Sequence, residues 1–191
     1  FKRYENRLAE HDEVFRGSEG ELPITDLEYR DPLCEAFIKG AVEEGIPRNK
    51  DYNGQFQEGV SYVQRTTQGR FRVSAAKAFL NPVKSRKNLT IITNAFVSKV
   101  IIENKTATGV EFLKGGIRGK KIILKANKEV ILSSGVIKSP HLLQLSGIGP
   151  GKYLKEVGID VIHDLKGVGM NLRDHFAPRL TARAKNVETI N

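Results

Sequence analysis

Residues 133–150 read SSGVIKSPHLLQLSGIGP, directly after the apolar segment EVIL. The run EVILSS at 129–134, charged at its entry and ending on small residues, predicts a strand buried on both faces. Ser139-Pro140 then opens a helix, Leu142, Leu143 and Leu145 supply its core face, and Ser146-Gly147 stops it. Strand, tight turn, short helix and abrupt exit follow in quick succession. Small residues at Ser133, Ser134 and Gly135 permit backbone to come close to another group.

Downstream of this stretch, KYLKEVGI at 152–159 predicts a short helix ending at Gly158, DVIHDL at 160–165 a short strand, and KGVGMNLRDH at 166–175 a loop. Upstream, LTIIT (89–93), AFVSKVIIE (95–103), ATGVEFL (107–113) and KKIILKA (120–126) have the period of strands. With EVILSS they predict a compact unit of five strands, in which ENKTATG is a hairpin connection. Ser74 caps a short Ala-rich helix, SAAKAFL, closed by Asn81-Pro82. Before it, GVSYVQRTTQGRFRV predicts strand, turn and strand, and NKDYNGQFQEG a long polar loop. Asp31-Pro32 caps a helix from Pro32 to about Glu44, with Leu33, Phe37, Ile38, Ala41 and Val42 at helical spacing and Gly45 and Pro47 as stops. Residues 1–30 carry turn signals throughout.

Composition excludes several classes of protein. No apolar run approaches the roughly 18 residues needed to span a bilayer, and FKRYENRLAEHDE has no apolar signal core. The single cysteine, Cys34, cannot form an internal disulfide, which favours a reducing compartment. Its place in the helical pattern PLCEAF predicts a buried, inert thiol. The net charge of +9 raises the question of an anionic partner, but the basic residues are scattered, acids are interleaved, and no stacking aromatics punctuate KSRKN (84–88) or RGKK (118–121). Solvated strand edges and turns account for them, and no nucleic-acid partner is expected. His11, His141, His163 and His175 lie far apart, without the spacing of a metal site. Gly147-Ile-Gly149 and Gly167-Val-Gly169 each lack the third glycine of a dinucleotide loop, with Lys152 and Leu172 in its place. The chain starts on Phe1, has Met170 as its only methionine and ends on ETIN, as expected of a piece of a longer chain or a processed product.

The glycine and Ser-Pro positions of 135–149 follow a recognisable order. Gly135, Ser139, Pro140, Leu142, Leu143, Ser146, Gly147, Ile148 and Gly149 resemble the second signature of the glucose-methanol-choline (GMC) flavoprotein oxidoreductases. Only Val136 departs, standing where the family has a small residue. DYNG (51–54), QEG (57–59), SAAKAFL, TNAFVSKV, GVEF and GVGMNLRDH fall in the family's order, so the resemblance extends over essentially all 191 residues. The phrasing is most similar to the bacterial choline dehydrogenase and alcohol dehydrogenase branch.

The resemblance implies an α/β (α+β) fold: part of a GMC-type FAD-binding domain at 74–175, with portions of a substrate-binding domain at 1–73 and 176–191. It implies FAD as cofactor, with Ser133, Ser134 and Gly135 passing its adenosine half and the main chain of Val97 meeting the adenine. It implies hydride transfer from choline or a similar small alcohol to flavin, with a quinone or other carrier as electron acceptor. The family's glycine-rich pyrophosphate loop and catalytic histidine have no counterpart among these residues, so no catalytic residue is assigned, and His175 belongs to a connecting motif. A cytoplasmic protein, membrane-associated at its periphery through the acceptor, is expected. The alternatives are a non-catalytic relative, or a basic β-rich binding module marked by steeply salt-dependent association.

Overall fold

The computed structural model describes residues 1–9 and 11–185 and divides into two compact units, Phe1–Ile91 with Ala182–Asn191, and Ile92–Thr181. These units are defined by contacts, whereas the division expected at 73/74 and 175/176 is one of cofactor and substrate domains. Residues 186–191 of the expected return segment lie outside the described residues.

In the first unit, β1 (Glu5–Arg7) pairs in parallel with β2 (Leu22–Ile24). Helix α1 (Pro32–Glu43) starts where the sequence places it. Asp31 accepts from the Leu33 and Cys34 N–H groups, Pro32 occupies the first turn, and Gly45 at φ +88° ends the run. Of its predicted apolar face only Ile38 is buried; Phe37 is 72% exposed, and Leu33 and Val42 are exposed too. Cys34 is likewise exposed, contrary to expectation. Helical spacing aligns apolar residues on one stripe, but burial needs a neighbour, and none covers this stripe among the described residues.

The loop at 49–59 is as expected, and the strand–turn–strand reduces to a two-residue hairpin of β3 (Thr67–Gln68) and β4 (Phe71–Arg72). Ser74 Oγ accepts from Lys77 N–H at 3.2 Å, as a cap should. The helix it caps is a wide π turn at Ala76–Leu80 running into a 3₁₀ turn at Asn81–Val83, because Pro82 cannot continue an α pattern. The interior of this unit is part apolar, around Ile38, Val73 and Ala78, and part ionic. Arg16, 2% exposed, donates through Nε to Glu5 at 2.9 Å and pairs through Nη1 with Asp51.

The second unit is built on a three-stranded antiparallel sheet of β5 (Ala95–Glu103), β6 (Thr106–Lys114) and β7 (Lys120–Lys125), in that order. Asn104 and Lys105, at φ 51° and 63°, form the two-residue turn joining β5 to β6, whose twist suits a hairpin. Helix α2 (Gly135–Leu145) packs on β5. Beyond it β8 (Ile148–Gly149) precedes α3 (Gly151–Glu156) and pairs in parallel with β9 (His163–Asp164). Val100, Phe112, Leu142 and Leu154 form the core.

Three expectations fail here. The unit has three long strands rather than five, since LTIIT and EVILSS join no ladder among the described residues. Ile131, expected inside a strand buried on both faces, is 76% exposed. A strand is defined by its partner's hydrogen bonds, and an apolar run carries no information about whether a partner is present. The helix also starts at Gly135 rather than at Ser139-Pro140, leaving Pro140 inside it.

The described chain exposes 16206 Å². One globule of 21.3 kDa exposes about 9,100 Å², and two separate half-size globules about 11,000 Å² together. The excess includes large apolar side chains such as Phe37, Phe56, Ile131, Val136 and Leu172. The expected α/β class holds, in a chain with far more uncovered apolar surface than a self-sufficient core leaves.

Candidate functional site

The outer edge of β5 is the most sharply defined polar feature of the second unit. Asn94 O accepts from Gly115 N–H at 2.8 Å, which fixes Asn94 as a residue bonded towards β6. Antiparallel alternation from that pair points the main-chain groups of Phe96 towards β6 and those of Val97 away from it. The register shifts between Val97 and Lys99, where Ser98 is the extra residue, and its hydroxyl donates to the Glu111 carboxylate at 2.7 Å, with the Glu111 carbonyl oxygen 3.1 Å away. The hydrogen bond from Ser98 and the Lys121 ammonium hold the Glu111 carboxyl below the usual range. Past the bulge, Val100 N–H again faces away from β6 and donates to Ser146 Oγ at 2.8 Å.

Ser146 is the residue that sequence reasoning missed. It was legible only as part of a helix stop, yet its hydroxyl also donates to Leu142 O at 2.6 Å and so bolts the end of α2 to the edge of β5. No strand lies on that side of β5 among the described residues. Val97, an exposed residue, therefore offers one main-chain N–H and one C=O side by side on an open edge.

Ser133, Ser134 and Gly135 lie at the other end of α2, all exposed. Gly135 has φ +81°, and a Cβ there meets nothing within 4 Å. Glycine is required at this turn by its backbone conformation rather than by crowding within the described chain. Ser134 N–H donates to Ser139 Oγ at 3.0 Å, closing the turn from the fifth residue on. The four predicted site residues thus share one unit, with no hydrogen bond joining Val97 to 133–135.

Next to Gly135 a groove of about 1080 Å³ opens, lined by Val136, Ile137, His141 and Tyr153 on one side and by Met170 and Leu172 of the 167–173 loop on the other. Gln144 Nε2 donates to Val168 O at 3.2 Å, and Gly169, φ +82°, leaves room for it, since a Cβ there sits 2.6 Å from that nitrogen. Gly169 therefore serves a close approach to α2, whereas a Cβ at Gly167 would meet nothing within 4 Å. No cluster of three or more His, Cys, Asp or Glu side chains able to hold a metal occurs among the described residues.

The family model described as GMC oxidoreductase matches residues 3–177, and the chain belongs to that family. Among its relatives, oxygen-dependent choline dehydrogenase of Rhizobium rhizogenes is 46% identical over 176 residues, covering 92% of this chain and 31% of that protein. Alcohol dehydrogenase [acceptor] of Pseudomonas putida is 39% identical over 186 residues, covering 97% and 34%. Of solved structures, an FAD-dependent oxidoreductase from Chaetomium thermophilum superposes with a TM-score of 0.84 at 32% identity, covering 91% of this chain and 32% of that one. Pyridoxine 4-oxidase from Mesorbium loti gives 0.79 at 32% identity, covering 87% and 32%. The chain thus spans about a third of the length of the relatives it matches. Family membership displaces the alternative of a basic β-rich binding module.

Proposed function

We propose that this chain forms part of an FAD-dependent oxidoreductase acting on choline or another small alcohol, and that its own contribution is to hold the adenosine half of FAD. The observation that carries the reading is the open edge of β5 at Val97, braced by Ser146. Adenine presents an amino donor beside a ring-nitrogen acceptor, and the C=O and N–H of one outward-facing strand residue complement that pair. Gly135, in a conformation only glycine adopts easily, and the exposed Ser133 and Ser134 suit a ribose-bearing group beside them.

When bound, FAD supplies the hydride acceptor, and the residues named here bind and orient it. On this reading 74–175 belong to the cofactor domain, and 1–73 with 176–191 to the substrate domain. The uncovered faces of α1 and of 129–134 then pack against the remainder of a longer protein. We further propose a quinone or other carrier as acceptor and a cytoplasmic protein with peripheral membrane association. No described helix is long and apolar enough to cross a membrane.

Two measurements on the full-length protein test this. Its visible spectrum should show flavin bands that bleach anaerobically with choline or another small alcohol; absence of flavin points instead to a non-catalytic relative. Val97→Ala should leave FAD affinity nearly unchanged, whereas Val97→Pro, which removes the N–H on an edge without a strand partner, should weaken it about tenfold. Equal affinities for the two variants rule out the main-chain contact.

A further inference from the structure

The first unit holds a cavity unrelated to the β5 edge, of about 380 Å³, lined by β1, the segment after β2, residues 48–50 and Ser61-Tyr62. Four lining residues are cations, Arg7, Arg30, Arg48 and Lys50, against one acid, Asp26.

Arg7 decides the character of this cavity. Its side chain is 2% exposed, Nη2 donates to Asp26 Oδ2 at 2.8 Å, and Nη1 reaches Ile24 O only at 3.5 Å. Its Nε–H is buried without any partner. A guanidinium keeps its proton at any ordinary pH, so this donor has no neutral form to retreat to. Buried donors are ordinarily matched, so Arg7, which lines the cavity, carries one donor that the described residues leave unmatched.

The other cations reinforce this. The Arg30 guanidinium carbon lies 4.5 Å over the Tyr62 ring, a cation–π contact that holds at the cavity a group whose N–H donors suit an oxyanion. No carboxylate pairs with Arg30 or Lys50 among the described residues. Arg48 is held by Glu35 through two contacts of 3.3 Å. Among the described residues, counting Asp26 and Glu35, the partner of Arg48, against the four cations leaves a surplus of two positive charges. Asp26 is already neutralised by Arg7.

We propose that this cavity binds a small soluble anion bearing a phosphate group, held by Arg7, Arg30 and Lys50. A phosphate dianion matches the surplus of two charges, and its oxygens accept from donors arriving from several directions, which the two oxygens of one carboxylate do less well. The volume leaves room for a small organic body beside the phosphoryl group.

The test is calorimetric titration of the full-length protein with inorganic phosphate and with pyrophosphate, at ionic strength held constant with chloride. One saturable site is expected. Arg30→Ala and Lys50→Ala, both at exposed side chains, should each weaken it about tenfold, while Lys128→Ala in the other unit should not. Arg7→Lys, which keeps the charge but removes the fork, should weaken it similarly, with the thermal midpoint confirming a folded protein. The proposal fails if no saturable heat appears, or if the Arg30 and Lys50 variants bind as tightly as the parent. It fails too if the protein binds vesicles of anionic phospholipid but neither free anion.

Discussion

Replacing Ser146 with alanine tests how the edge of β5 is held. Its hydroxyl accepts from Val100 N–H at 2.8 Å and donates to Leu142 O at 2.6 Å, with both Ser146 and Val100 almost fully buried. In the alanine variant Leu142 O keeps the Ser146 main-chain N–H at 3.1 Å, so the carbonyl stays satisfied. Val100 N–H does not, because it faces away from β6 and no strand lies on that side among the described residues. A buried donor left without a partner costs about 1–3 kcal/mol. Converted to an opening equilibrium, that is about 5- to 150-fold faster hydrogen exchange at Val100. Exchange measured amide by amide on the full-length protein should show this acceleration at Val100, with β6 amides bonded to β7 changing much less. If the Val100 amide exchanges within twofold of its original rate, the donor is satisfied by water and Ser146 does not brace the edge. Because Val97 lies three residues away on the same strand, FAD affinity should fall alongside.

Three further outcomes follow from local geometry. Gly147→Ala puts a Cβ 2.6 Å from Asp160 O and 2.9 Å from Ile162 Cγ1 at φ +80°, and should lower stability by about 2 kcal/mol or more, read as a lower thermal midpoint. Lys105→Gly relieves a left-handed φ of 63° in the β5–β6 turn and should raise stability by about 1 kcal/mol in urea titration. The hydrogen bond from Arg16 holds the Glu5 carboxyl below its usual range, with Gly17 N–H adding to it against the opposing effect of burial. Its stabilisation is therefore complete above the unfolded value of about 4.3 and is lost as pH falls through the lower folded value. Glu5→Gln should accordingly lose stability at neutral pH and flatten the acid limb of a stability–pH curve; an unchanged limb disproves the linkage.

What could be read in the sequence was whatever local chemistry decides. Asp31-Pro32 and Gly45 bounded α1, the Asn104-Lys105 turn joined two alternating runs, and Gly158 closed α3, each through a backbone preference belonging to the residue itself. What could not be read depends on a neighbour distant in sequence. Cys34 and Phe37 sit at helical spacing that looks internal, yet nothing described covers them. Ser146 reads as a helix stop, and its bond to Val100 spans 46 residues, so no local pattern announces it. The ionic cluster of Arg16 with Glu5 and Asp51 is equally silent, since each residue alone reads as a solvated surface charge.

The misjudged strands and the proposed cofactor edge share one cause. LTIIT and EVILSS have the composition of interior strands but no ladder, and β5 has a ladder on one side only. An open edge of free main-chain groups invites pairing with any other chain, and natural proteins cover such edges or blunt them with charge. β7 follows the second course with Lys120, Lys121 and Lys125. On the outer side of β5 the main chain instead meets Ser146 at Val100 and is left open at Val97. A serine that closes the edge at Val100 and stops short of Val97 leaves the donor–acceptor pair of Val97 open. Under the proposed function that gap is where adenine sits, which is why the substitution that should matter at Val97 is the one that alters its backbone and not the one that trims its side chain.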